Sequence, residues 1–296
     1  MSFLDFARAH GVEIKPEKFF PSDKIRRCGT TEKPRSTNGA YLWDGQRGWV
    51  YRWDAEGRVH WYNDPNAKPW TEEEKRAWRA KRQAAREATE QGYRVAAKKA
   101  AELLRTTVPG THDYLFRKGL AAAQGLVLPD GGLLVPMRDL ATNELRGVQI
   151  IRWIDTEEEP GVNRWRKKMT YGMQARGAVL RLGAKTAMET IFCEGYATGL
   201  SIEMAVRSMR LNAAVMVCFS DHNMVFAASY VTKGRRYVFA DNDKSGAGER
   251  AAQETGLPYC MSPVLGEDAN DMHKRAGLMP LCALLMKVRQ QEAAMS

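Results

Sequence analysis

Two acidic stretches carry the residue types and spacing that can do chemistry: Glu194-Gly195 and Asp241-Asn242-Asp243. Each follows a brief apolar run with β-branched and aromatic content. Thr190-Ile191-Phe192-Cys193 precedes the first, and Arg236-Tyr237-Val238-Phe239-Ala240 precedes the second. Asp241 and Asp243, two positions apart on an extended segment, point the same way. Carboxylates gathered in one place repel one another unless a cation sits among them, and hard oxygen donors suit Mg2+ or Mn2+. The chemistry within reach is a divalent-cation site that handles phosphates.

The two apolar runs have the look of strands buried on both faces of a parallel sheet. In an open α/β sheet, ligands collect beyond the carboxyl ends of the strands, so neighbouring strands ending in acids would bring Glu194, Asp241 and Asp243 to one edge. From Thr190 onward the pattern alternates strand and helix. Glu194-Gly195-Tyr196-Ala197-Thr198-Gly199 leads into a helix over 200–210, and a strand over 213–219 ends at Ser220-Asp221-His222-Asn223. Helices over 224–231 and 247–255 and a short strand over 259–261 continue it. Such alternation means βαβ units on a parallel sheet.

Upstream, Phe3, Leu4 and Ala7 fit a short helix ended by Gly11. Between 40 and 62 the residues Tyr41, Trp43, Trp49, Tyr51, Trp53, Trp61 and Tyr62 alternate with polar ones, broken by Asp44-Gly45 and Glu56-Gly57. This predicts a small antiparallel sheet with hairpin turns. Thr71 and Glu74 form a capping-box pattern opening a basic helix that runs to about residue 104, either a solvated connector or an arm facing nucleic acid. A short amphipathic helix over 112–119 and strands over 133–138, 145–152 and 178–182 follow. Between the last two strands, Asn163 to Gly172 reads as a loop carrying Arg164, Arg166, Lys167 and Lys168 among aromatic residues. Charge for phosphates and rings for bases suit single-stranded nucleic acid; a merely solvated basic loop is the alternative.

The net charge of +10 and sequence pI near 9.4 point to a polyanionic partner. With a mean hydropathy of −0.48 and no long basic amphipathic helix presenting an apolar stripe, nucleic acid is favoured over a membrane surface. No apolar stretch is long enough to span a bilayer, and Met1-Ser2-Phe3-Leu4-Asp5 lacks the order of a signal peptide, so the expected location is the cytoplasm. Cys28, Cys193, Cys218, Cys260 and Cys282 form no CxxC pair, so neither disulfides nor zinc are expected; Cys193 and Cys218 read as small buried hydrophobes. No GxxxxGK[ST] occurs, which excludes a helicase motor in this sequence.

The pairing of Glu194-Gly195 with Asp241-Asn242-Asp243 and Gly246 resembles the Toprim domain of bacterial-type primases and topoisomerases. Ile191 to Ser201, Phe239 to Asp243 and Gly266-Glu267-Asp268-Ala269-Asn270-Asp271-Met272-His273 look like the version in phage and plasmid replication primases. The basic run at 167–172 and the strands from Leu133 to Ile151 are similar to the subdomain preceding Toprim in those enzymes.

The resemblance implies an α/β fold: a Toprim-type parallel sheet flanked by helices, preceded by a mixed α+β basic subdomain and a small N-terminal antiparallel β module. The expected division is 1–70 for that module without zinc, 71–110 for a basic helical connector, 111–182 for the N-terminal part of the polymerase core, and 183–296 for Toprim. The implied activity is Mg2+-dependent synthesis of short RNA primers on a single-stranded DNA template from nucleoside triphosphates. Phage or plasmid replication in a bacterial host cytoplasm and a separate replicative helicase as partner come with it.

Glu194, Asp241 and Asp243 are the implied catalytic residues and metal ligands, with Glu194 either a direct ligand or a base beside the metal. Asp268, preferred over Asp271, completes the acidic rim. Arg138, Arg152, Arg164, Arg166, Lys167 and Lys168 are the candidate nucleic-acid contacts. Where several primases of this class carry an acid four positions after the glutamate, this sequence has Thr198. Toprim cleavage of DNA, a phosphatase using an aspartate nucleophile, and a non-catalytic single-strand binder are the competing readings.

Overall fold

The computed structural model describes residues 1–53, 58–154, 165–184 and 186–293. Within it the chain divides into two compact units, Met1–Gln83 and Ala84–Ser296. In the first unit, helix α1 (Phe3–Ala9) opens with a capping box in which the Asp5 N–H donates to Ser2 Oγ at 3.2 Å, and it closes at His10 ahead of Gly11. Five antiparallel strands then pair in sequence order: β1 (Val12–Glu13), β2 (Ser22–Thr30), β3 (Gly39–Trp43), β4 (Arg47–Arg52) and β5 (His60–Asn63). The two-residue period of a strand sends Tyr41, Trp43, Val50 and Tyr62 to one face, where they pack with Phe3 and Phe6 of α1. The aromatic hairpins read from the sequence thus sit in a larger sheet. The turn at Glu56-Gly57 lies outside the described residues.

Helix α2 (Glu72–Arg105) starts at its capping box: the Thr71 N–H donates to Glu74 Oε2 at 2.8 Å and the Glu74 N–H to Thr71 Oγ1 at 3.2 Å. The division between the two units falls inside this helix. Near its C-terminal end Ala100 packs with Leu128, Leu134 and Val148, while most of its length is exposed.

The second unit continues with β6 (Val108–Gly110), α3 (Asp113–Arg117), β7 (Gly125–Val127), β8 (Leu133–Asp139), β9 (Leu145–Trp153), β10 (Trp165–Met169) and β11 (Ala178–Gly183). Then come β12 (Glu189–Cys193), α4 (Tyr196–Ser208), β13 (Ala213–Val217), α5 (Asp221–Tyr230), β14 (Arg235–Phe239), α6 (Ala247–Thr255), β15 (Tyr259–Cys260), α7 (Ala269–Ala276) and α8 (Leu278–Ala293). The order β10-β9-β8-β11-β13-β12-β14-β15, with β6 and β7 beside β8, makes one sheet. β12, β13, β14 and β15 pair in parallel, whereas β11 is antiparallel to both β8 and β13. The strands upstream and downstream of residue 183 are therefore one hydrogen-bonded body.

The parallel strands are covered on both faces, which is why they read as unbroken apolar runs. Ile191, Cys193, Val215, Val217, Tyr237 and Phe239 pack toward α4 and α8, with Ile202, Val206, Leu281 and Leu285. Phe192, Met216, Val238 and Ala240 pack toward α5 and α6, with Met224, Ala227 and Ala252. All five cysteines are free thiols, and burial pushes those of Cys28 and Cys260 up to about 12.

One expectation is corrected. The stretch expected to be a basic loop over 163–172 is, from Trp165 to Met169, an edge strand paired with β9 at every position. Its charges suit it to that place, because an edge strand keeps one side in water and like-charged lysines discourage further pairing.

Candidate functional site

β12 and β14 are neighbours, yet the helices that follow them leave to opposite faces: α4 joins the Ile191 face and α6 the Phe192 face. Two adjacent strands whose chains depart in opposite directions leave a crevice beyond their carboxyl ends. Glu194 and Asp241 stand on its two sides.

Glu194 is fixed by its own backbone. Its carbonyl accepts the Phe219 N–H at 2.9 Å, which carries the β12–β13 ladder past the end of both strands. Gly195 then caps α4 in an extended conformation. Gly199, one turn on, lies so close to β13 that a Cβ there would come within 2.3 Å of Val217 Cγ2. This glycine lets α4 settle directly on the sheet. Thr198, buried in the same turn, has an Oγ1 without a hydrogen-bond partner among the described residues.

Asp221, absent from the acidic set inferred from sequence, is delivered to the same edge by three devices. Phe219 adopts a left-handed φ of 66°, uncommon for a non-glycine residue and characteristic of functional edges. Ser220 then caps α5, its Oγ accepting the Asn223 N–H at 3.3 Å. Buried Asn223 donates to the carbonyls of Cys218 and Ala178, each at 2.8 Å, and accepts the Gly177 N–H at 2.6 Å. The start of α5 is thus pinned to β11 and β13, with Asp221 beside Glu194.

Asp241 and Asp243 have different surroundings despite their spacing. Asp241 Oδ1 is buried and has no hydrogen-bond partner among the described residues. The Asp243 carboxylate accepts the N–H groups of Ser245 at 2.8 Å, Ala247 at 3.2 Å and Gly248 at 2.8 Å, and also the Ser245 hydroxyl. It therefore closes the loop before α6. Gly248 is required there, because a Cβ would meet the Asp241 carbonyl oxygen at 2.3 Å.

Asn242, between the two acids, ties in the third side of the crevice. Its side chain donates to the Ser262 carbonyl at 2.9 Å and its N–H to the Glu267 carbonyl at 3.1 Å. These bonds place Asp268, which caps α7 by accepting the Asp271 N–H at 2.8 Å. Behind it, Asn270 donates to the Lys118 carbonyl at 2.8 Å, and Lys118 Nζ lies 3.2 Å from Asp271. The end of α3 is in this way fastened to the parallel half of the sheet.

Burial and mutual repulsion push the acids up. Glu194 rises to about 7, chiefly from loss of water, then from the charge of Asp221 and a hydrogen bond shared with it. Asp241 rises to about 8, from burial first and then from Asp268, Glu194, Asp221 and Asp243. Asp243 moves the other way, held well below the usual carboxylate range by the donors of its loop, Ser245 first. Lys167 is a cation facing them. Lost hydration and the charge of Lys118 lower its pKa, while Asp268, Glu194 and Asp241 oppose that shift.

These residues fit a hard divalent cation by donor chemistry. Five carboxylates repel one another in one crevice, and a buried Asp241 oxygen lacks a partner, the atom such a cation would take up. They are not a finished ligand shell: among the described residues no three Asp, Glu, His or Cys side chains stand together at ligating distance. Asp243 has both carboxylate oxygens engaged by its loop, whereas Asp268 uses only Oδ1 in its helix cap and keeps Oδ2 for a cation.

The basic residues do not form one track. On β10 the pleat sends Trp165, Lys167 and Met169 to one face and Arg166 and Lys168 to the other. Lys167 lies over the Tyr114 ring, 5.8 Å from its centroid, on the side of the acids. Arg166 is directly opposite Arg152 on β9, and Arg152 pairs with Asp130 at 2.5 Å. Arg138 donates to the Asn143 carbonyl within its own hairpin. Arg164 lies outside the described residues. Lys118, not inferred from sequence, stands with Lys167; its position between a short helix and a glycine gave no sign of it.

No curated protein matches the chain. A family model described as the Toprim domain matches residues 189–278, from the first residue of β12 to the first of α8. That span holds Glu194, Asp221, Asp241, Asp243 and Asp268, and the chain is a Toprim-containing protein.

Proposed function

We propose that this protein is a DNA primase that joins ribonucleotides on a single-stranded DNA template. The observation that carries the reading is the meeting of Glu194, Asp221, Asp241 and Asp268 in one crevice into which Lys167 brings positive charge. Bond formation requires the 3′-hydroxyl of the growing strand to lose a proton as its oxygen attacks the α-phosphorus of the incoming nucleotide, and pyrophosphate to leave. Bound Mg2+ would supply charge neutralisation at the phosphates. Asp241 and Asp268 are the residues that would hold it, with Asp243 shaping the loop behind them. Glu194, raised to about 7, is suited to take the hydroxyl proton near neutral pH. Lys167 is suited to a phosphate oxygen.

Incubation with single-stranded DNA, ribonucleoside triphosphates and Mg2+ should yield short RNA. Asp241→Ala and Glu194→Gln should each abolish it while the melting transition remains. Product formation that survives both changes removes the assignment. Nicked DNA without RNA product would favour the nuclease branch of Toprim chemistry. A separate replicative helicase is the partner this reading calls for, testable by co-purification with the host's replication proteins.

A further inference from the structure

The five-stranded sheet of the first unit has a second face, and its composition differs from that of the core face. Leu42, Trp49 and Trp61 stand opposite one another across β3, β4 and β5, and Arg27, Ala40 and Tyr51 form the neighbouring row. Trp61 is 67% exposed and Trp53 44% exposed, well beyond what a tryptophan shows when it serves only to pack a core. The Arg27 guanidinium lies 3.5 Å from the centroid of Trp53, and that of Arg47 lies 4.9 Å from the centroid of Trp70. None of the paired residues of β2 to β5 is acidic.

We propose that this face is a stacking platform for single-stranded nucleic acid, with bases on Trp61, Trp49 and Trp53 and phosphates at Arg27 and Arg47. Rings on a flat sheet accept any base, because every base has a π-face. A guanidinium stacked on a ring keeps its in-plane N–H groups for phosphate oxygens. Charge decides the class of occupant: indoles and arginines on strands whose paired residues include no carboxylate are complementary to a polyanion with exposed rings. The site lies outside residues 189–278 and holds whether or not the acidic crevice makes primers.

The test is direct binding of the full-length protein to labelled oligo(dT) in EDTA, without nucleotides, so that its outcome is separate from primer synthesis. Trp53→Ala combined with Trp61→Ala should weaken binding roughly tenfold or more, Trp61→Phe should retain most of it, and a duplex of equal length should be little affected. Arg27→Glu should lower the slope of log affinity against log salt by about 0.7. Oligonucleotides carrying 5-bromodeoxyuridine should cross-link to the peptide containing Trp61. Unchanged oligo(dT) affinity in the folded double variant overturns the proposal, including the case where that variant instead loses a protein partner. If the double variant fails to fold, an unchanged salt slope for Arg27→Glu together with no cross-link to residues 1–83 overturns it equally.

Discussion

In the proposed reaction Asp221 and Glu194 would act as a pair. A carboxyl raised to about 7, by burial first and then by a second carboxyl, is suited to act as a base near neutral pH, and the second carboxyl adds the smaller part of that shift. Asp221→Asn should therefore shift the acidic limb of the pH profile for primer synthesis to lower pH, whereas a residue that only supports the fold would lower the whole profile. The raised groups also carry a stability cost with a definite sign. Glu194 and Asp241 stay protonated when folded over the range in which they ionise when unfolded, so the native state binds more protons and stability falls as pH rises from about 4 to about 8. Thermal melting should show this decline, and Mg2+ should offset it at pH 8. Asp241→Asn should raise stability at pH 8 by on the order of 1–3 kcal/mol while removing activity. Glu194, Asp241, Asp243 and Asp268 were legible in sequence because each lies just beyond a strand or beside a glycine-marked turn. Asp221 was not, because a Ser-Asp-His-Asn sequence reads as an ordinary turn, and only the left-handed Phe219 and the Asn223 clamp reveal its position.

The elements that hold the crevice depend on a few buried contacts. Glu189 at the start of β12 is buried and accepts from Arg289 of α8 at 2.7 and 2.8 Å and also from Arg235 of β14. Glu189→Ala would leave two arginines without their counter-charge and should cost about 3 kcal/mol in chemical denaturation. A loss below about 0.5 kcal/mol would show that water replaces the carboxylate. Gly248→Ala should be milder in stability but severe in activity, because its Cβ would press on the Asp241 backbone and force it or the start of α6 to shift. Strands buried on both faces were legible as apolar runs, and the α2 capping box was legible to the residue. β6 and β7, three residues each, and the basic edge strand β10 were not. A short or polar strand is specified by the partner it pairs with, and its own pattern carries little of that information.

Across the whole molecule, the excess positive charge divides by location. Neutralising Arg166 and Lys168 together should reduce the salt dependence of single-strand binding by about 1.4 if each meets a phosphate. Lys167→Ala should spare most of that slope and reduce synthesis, since its ammonium answers to Asp268, Glu194 and Asp241. Among the described residues no helix is long and apolar enough to cross a membrane. The antiparallel strand β11 has a further bearing on how the protein can be handled. It closes one flank of β13, while Leu281, Leu285 and Val288 of α8 cover the sheet from the Ile191 face. A fragment cut to residues 189–278 would lose both and present a bare strand flank beside an uncovered apolar surface, the combination that drives chains to stack on one another. Such a fragment should precipitate, whereas one spanning 84–296 should stay in solution: the smallest piece that can be expressed is set by the sheet's edges and is larger than the span of the recognisable motif.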